Sequence, residues 1–156
     1  MHVFTVSLFG HREIDDLRRV ENRLVPRIKE IIRTKPYVVF LIGRNGDFDI
    51  YAASVVKRVQ KEMDKANNEL ICVLPYPEKD MEYYEKYYDG VIIPESIGKS
   101  HPKSAITKRN RWMVERADHI VCCVEREKGG AHTALKYAKK LEKQIVNLAE
   151  KECGEE

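Results

Sequence analysis

The stretch Asp118–Ala149, DHIVCCVEREKGGAHTALKYAKKLEKQIVNLA, decides the fold. It opens on an apolar run, DHIVCCVE, of strand length and rich in β-branched residues. A polar segment ending in Gly129-Gly130 follows, then a helical pattern, AHTALKYAKKLEK, and a second apolar run, QIVNLA. Strand, glycine turn, helix and strand make a βαβ unit, whose right-handed crossover sets the two strands parallel in one sheet.

The same alternation continues outward. Val3–Phe9 (VFTVSLF) reads as the first strand. A helical pattern follows, with apolar residues Ile14, Leu17, Val20, Leu24, Ile28, Ile31 and Ile32 at spacings of mostly three or four. Pro26 lies inside it and predicts a kink or a break. Next come a strand YVVFLIG, a helix beginning near Asp49 with Ala52, Ala53, Val56, Val59 and Met63 on one face, and a strand ELICVLPYP. EKDMEYYEKYYD reads as a short helix, GVIIP as a strand, ESIGKSHPKS as a polar loop and ITKRNRWMVERA as a helix. Strands written as unbroken apolar runs are buried on both faces, the mark of a parallel sheet. The expected fold is therefore α/β: a Rossmann-like parallel sheet flanked by helices on both faces. One domain over residues 1–150 is expected, with a frayed tail over 151–156.

The chain has 156 residues, 43% hydrophobic and 34% charged, enough for a full core without disulfides or structural metal. Its formal net charge is only +3, from 28 Lys and Arg against 25 Asp and Glu, scattered along helices as solvated faces. A nucleic-acid footprint is usually a clustered basic patch, so nucleic acid is an unexpected partner. Of the four cysteines, Cys72, Cys122 and Cys123 sit in apolar runs, while Cys153 falls in the tail. None has metal-ligand spacing, and buried thiols fit a reducing compartment, so no metal and no disulfide is expected. The start, MHVFTVSLFGHRE, lacks the charged region and cleavage site of a signal peptide, and its apolar stretch is too short to span a bilayer. The expectation is a cytoplasmic protein with no membrane contact.

Ligands of open α/β sheets bind outside the carboxyl ends of the strands, near the switch in strand order. The residues just past each strand are therefore informative. Gly10-His11-Arg12 comes after the first, and Arg12 near a helix start is mildly opposed by the dipole unless an anion accompanies it. His11 is either part of that site or a hydrogen-bonded structural histidine. GRNGDFD, Gly43–Asp49, comes after the second: Gly43 and Gly46 either shape a turn or admit a ligand, and Asp47 or Asp49 either caps the next helix or binds a ribose hydroxyl. Gly129-Gly130 before a helix, with Thr133 one turn on, is either a plain turn or a phosphate loop. On the helix before the fifth strand, Arg109 and Asn110 read alone as surface residues, and Trp112 and Met113 as core. YYEKYYD reads as a helix packing on the sheet edge in preference to an aromatic wall for a base.

Taken in order, Gly10-His11-Arg12, Gly43–Asp49, RNRWMVERADHIV and GGAHTALKYA resemble the SLOG superfamily. These are Rossmann-like domains related to the LOG-type phosphoribohydrolases and the Smf DNA-processing proteins. The resemblance runs from Val3 to about Leu148 and rests on order and spacing together. It implies a pocket for nucleotides or their derivatives, with Gly10, Arg12, Gly43, Gly46, Asp49, Arg109, Asn110, Gly129, Gly130 and Thr133 as ligand-binding positions. LOG-type enzymes carry PGGxGTxxE at the glycine turn. Here His132 stands at the second glycine position and Lys136 at the final glutamate position. A carboxylate there would assist cleavage of a glycosidic bond, and lysine cannot. The expectation is accordingly a sensor or sequestering module for an ADP-ribose-like ligand, needing no cofactor. The alternative is a nucleoside monophosphate N-glycosidase using another carboxylate, with Asp47, Asp49, Glu95 and Glu125 the candidates near strand ends. A homo-oligomer stays open, since relatives of this build often pair through their helices.

Overall fold

The computed structural model describes residues 2–98 and 100–150; the predicted tail over 151–156, with Cys153, lies outside the described residues. The strands are β1 (Val3–Gly10), β2 (Tyr37–Ile42), β3 (Asn68–Val73), β4 (Gly90–Ile92), β5 (His119–Cys123) and β6 (Gln144–Asn147). The helices are α1 (Leu17–Thr34), α2 (Asp47–Met63), α3 (Met81–Tyr87), α4 (Pro102–Arg116) and α5 (Gly130–Lys140). The strands form one sheet in the order β4-β3-β2-β1-β5-β6. Every pairing is parallel, as in Leu8 opposite Ile42 and Gly10 opposite Cys123.

Strand periodicity divides the core in two. Val6, Leu8, Phe40, Ile42, Leu70, Cys72, Val121 and Cys123 point to the face covered by α1 and α2. Alternate residues of the same strands, Phe9, Ile120, Cys122, Leu41, Ile71 and Val73, meet α4 and α5 on the other face. Ser7, a fully buried polar residue on that second face, donates its hydroxyl to Met113 O at 2.7 Å. Met113 is buried and Trp112 half-buried against the same cluster, the core role the sequence indicated. This is the expected Rossmann-like sheet with helices on both faces.

Two boundaries differ from expectation. The first helix runs unbroken through Pro26. Proline removes a hydrogen bond to the carbonyl four residues back, that of Asn22; both residues lie on the exposed side, where the loss costs least because solvent can reach that carbonyl. Helix α4 begins four residues before Ile106, inside the stretch read as loop. Pro102 occupies its first turn, where a missing N–H costs nothing, and His101 caps it by accepting from Lys103 N at 3.4 Å.

The chain winds outward from β1 to β4, then crosses back to place β5 on the other side of β1. That reversal leaves a crevice above the carboxyl ends of β1 and β5, where neighbouring connections diverge to opposite faces. Among the described residues, no helix is long and apolar enough to cross a membrane.

Candidate functional site

A cavity of about 480 Å³ occupies this crevice. The end of β1 with the loop after it (Gly10, His11, Arg12, Glu13), the β2–α2 loop with the first turn of α2 (Asn45, Asp49), α4 (Ile106, Arg109, Asn110) and the β5–α5 loop with the start of α5 (Arg126, Lys128, Gly129, Gly130) supply most of its walls. Four cationic side chains, Arg12, Arg109, Arg126 and Lys128, face two carboxylates, Glu13 and Asp49. The volume falls in the range of small-molecule sites.

The glycines separate into two kinds. A Cβ on Gly10 would lie 2.4 Å from Cγ of Phe48, and one on Gly46 would lie 2.4 Å from Cα of Arg12. A Cβ on Gly43 would lie 2.6 Å from Nη1 of Arg109. These three glycines let protein segments approach one another. Gly129 differs: its φ is +91°, a left-handed backbone that favours glycine, and nothing lies within 4 Å of its Cβ position. Gly130 is nearly as open, its nearest neighbour being Asn110 Nδ2 at 3.7 Å. The α5 N-terminus has no side-chain cap and no acidic residue in its first turn. Its first N–H groups and positive dipole end thus adjoin the cavity without a protein acceptor from a cap.

His11 is tied to the scaffold. Its Nε2 accepts from the N–H groups of Glu125 and Arg126, each at 3.0 Å, and its own backbone N–H donates to Cys123 O at 3.2 Å. The ring must be neutral at Nε2 to accept, and burial first, then the Arg126 charge, lowers its pKa below the ordinary 6.5. Arg126 adds a second tie, donating from Nη2 to Glu13 O at 2.9 Å. The loops after β1 and β5 are therefore fastened to each other.

The two aspartates in the first turn of α2 each accept a backbone N–H from outside the helix, and neither caps it. Asp47 accepts from Ile14 N at 3.2 Å. Asp49 reaches back to accept from Asn45 N at 2.9 Å. Burial pushes the Asp49 carboxyl up, opposed by the Asn45 N–H and the charges of Arg109 and Arg12.

Arg109 is 2% exposed, not a surface residue as its local sequence suggested. Its guanidinium donates to Val73 O at 2.9 Å, Asn45 Oδ1 at 2.6 Å and Asn110 Oδ1 at 2.8 Å. Thr133 is exposed and outside the main cavity; its hydroxyl donates to Gly129 O at 3.1 Å. It borders a small side pocket of about 70 Å³ between α4 and α5, which shares Ile106, Asn110 and Gly130 with the main cavity. Of the carboxylates named as catalytic candidates, Asp49 lines the cavity. Glu125 is exposed beside it, and Glu95 is exposed in a short 3-10 turn after β4. Lys136 is exposed on α5 and does not line the cavity.

Cavity residues not singled out from sequence include Glu13, Asn45, Ile106, Arg126 and Lys128. Their signal was position: Asn45, Arg126 and Lys128 come after strand ends, and Ile106 stands one helical turn before Asn110. Among the described residues, no group of three His, Cys, Asp or Glu gathers as a metal site, and Cys72, Cys122 and Cys123 are free thiols.

No protein-family model and no curated protein matches the chain. Solved structures do share its fold. DNA processing protein A from Streptococcus pneumoniae superposes with a TM-score of 0.61 at 14% identity, over 92% of this chain and 49% of that one. DNA processing protein A from Helicobacter pylori, described for its single-stranded DNA binding mode, gives 0.62 at 15% identity, over 91% and 63%. The molybdenum cofactor carrier protein of Chlamydomonas gives 0.58 at 16% identity, over 96% and 77%. This chain thus spans about half of the first protein and under two thirds of the second. At the level of the fold, a Rossmann-like parallel sheet, these likenesses agree with the resemblance read from the sequence. The expectation against nucleic acid gains no support from them, since one such protein binds single-stranded DNA.

Proposed function

We propose that this protein binds a nucleotide or nucleotide-derived, ADP-ribose-like ligand in the crevice, as a sensor or sequestering module. The observation that carries this reading is the open Gly129-Gly130 turn. It adjoins an uncapped helix N-terminus within a wall of Arg12, Arg126 and Lys128. Free N–H groups, a positive dipole end and cationic side chains together favour a phosphate. Among the fold neighbours are a cofactor carrier and a single-stranded DNA binder, and binding is the role common to both.

Binding is favoured over cleavage. Lys136 replaces the motif's glutamate and lies off the cavity, while Asp49 is buried with its carboxylate engaged by Asn45. A thermal-shift series with adenosine monophosphate, ADP-ribose and a short single-stranded DNA tests the ligand class. At 100 times its dissociation constant a ligand stabilises by about 2.7 kcal/mol, which is a rise of about 5–11 °C for a domain of this size. Free base from the same nucleotides is followed by chromatography. Stabilisation without base release supports the reading. Turnover abolished by Asp49→Asn would establish the N-glycosidase instead, and stabilisation by DNA alone would establish a nucleic-acid site.

A further inference from the structure

Arg109 holds a keystone place. Its guanidinium fills the space that the absence of a side chain at Gly43 leaves, and donates to groups from β3, the β2–α2 loop and α4. At 2% exposure it has almost no surface to offer a ligand, although it borders the cavity. Two of its three acceptors are asparagine amides, those of Asn45 and Asn110, and both residues line the cavity.

A guanidinium has donors only. Each asparagine must therefore present Oδ1 to it, which settles the orientation of the amide on chemical grounds. The Nδ2 group, across the amide from Oδ1, is left to face elsewhere. For Asn110 the destination is observed: Nδ2 lies 3.7 Å from the Cβ position of Gly130, over the open turn. Among the described residues, no hydrogen bond engages Nδ2 of Asn45 or Asn110, and neither atom is buried without a partner.

We propose that Arg109 is a positioning residue that does not touch ligand. It locks Asn45 and Asn110 with their amide NH2 groups toward the cavity. The two amides thereby present only donors to the cavity, which favours the acceptor oxygens of a phosphate. The proposal rests on the nucleotide reading for its ligand and departs from the expectation that Arg109 binds ligand directly. It also names Asn110 as a specificity determinant, since its donor stands beside the α5 N-terminus.

Asn110→Asp is the decisive variant. The carboxylate keeps an acceptor for Arg109 Nε and preserves the keystone, but removes the donor and adds negative charge over Gly130. Calorimetry with adenosine monophosphate should show affinity lowered about tenfold to hundredfold, with the melting temperature retained. Arg109→Lys keeps the charge but cannot hold both amides, so affinity should also fall. In nitrogen-edited NMR of the wild type, the Asn110 and Asn45 side-chain amides should shift with adenosine monophosphate or inorganic phosphate, while Arg109 Nε–Hε stays still. Wild-type affinity in Asn110→Asp, or a shift of Arg109 Nε–Hε without one at Asn110, would overturn the proposal. If neither probe moves any resonance, the nucleotide reading fails. The ligand-free spectrum then tests the positioning separately. A contact between Asn110 Hδ2 and Gly130 Hα upholds the lock, and its absence removes it.

Discussion

Gly43→Ala puts the keystone under direct load. The added Cβ would lie 2.6 Å from Nη1 and 2.8 Å from Cζ of Arg109. The guanidinium is the far end of a flexible side chain, which would ordinarily swing aside at little cost. Here it is pinned by bonds to Val73 O, Asn45 Oδ1 and Asn110 Oδ1 in a nearly dry site. Yielding to the methyl group breaks at least the two bonds made by its terminal nitrogens. Hydrogen bonds to charged groups contribute about 1.5–3 kcal/mol each, so the cost is about 3 kcal/mol or more. For a chain of this size that corresponds to a fall of about 6–12 °C in melting temperature. Differential scanning calorimetry measures it, and titration with adenosine monophosphate on the folded variant should show weakened binding as the asparagines lose their anchor. A melting temperature within about 2 °C of wild type, with unchanged affinity, would show that the guanidinium is not pinned and would refute the reasoning.

Gly130→Asp should abolish adenosine monophosphate binding while leaving the melting temperature intact, because a carboxylate in the first turn suits the α5 dipole but repels a phosphate; retained affinity in calorimetry would move the anion site elsewhere. His11 should make stability fall on acidification. Its folded pKa lies below 6.5, so its contribution is complete above 6.5 and is lost as pH falls from there toward the folded value, where the unfolded chain takes up the proton first. His11→Gln should flatten the melting-temperature profile over that window relative to wild type, the difference isolating His11 from His119, whose pKa burial also lowers; parallel profiles would contradict this. Burial pushes the thiols of Cys72 and Cys122 to about 12 and of Cys123 to about 11, so all three should resist alkylation in the native protein and react on unfolding. Peptide mapping that finds any of them labelled or disulfide-linked in the native state would count against it.

The sheet was legible because its strands are written as unbroken apolar runs, and because the strand ends mark where loops must gather. Prolines were less legible. Pro26 read as an interruption and Pro102 as part of a loop, whereas one sits on a solvated helix face and the other in a first turn that tolerates it. The glycines were ambiguous for a different reason. What excludes a side chain at Gly10 is Phe48, and at Gly46 it is Arg12, so each answer lies more than thirty residues away. Arg109 was misread because its neighbours Lys108 and Arg111 are exposed and its helix is highly charged. Only the tertiary meeting of Gly43, Val73 and Asn45 draws that one arginine inside.

The burial of Arg109 separates it from its fellow cations in their response to salt. Arg12 and Lys128 stand in solvent at the mouth, and mobile ions screen such charges beyond about 8 Å at physiological ionic strength. Their influence on an approaching anion is long-ranged and acts mainly on the rate of encounter. Arg109 sits where ions do not penetrate, and the amides it orients act only at contact. Raising ionic strength should therefore slow capture far more than it hastens escape. A protein built this way keeps its grip in concentrated electrolyte while losing its reach.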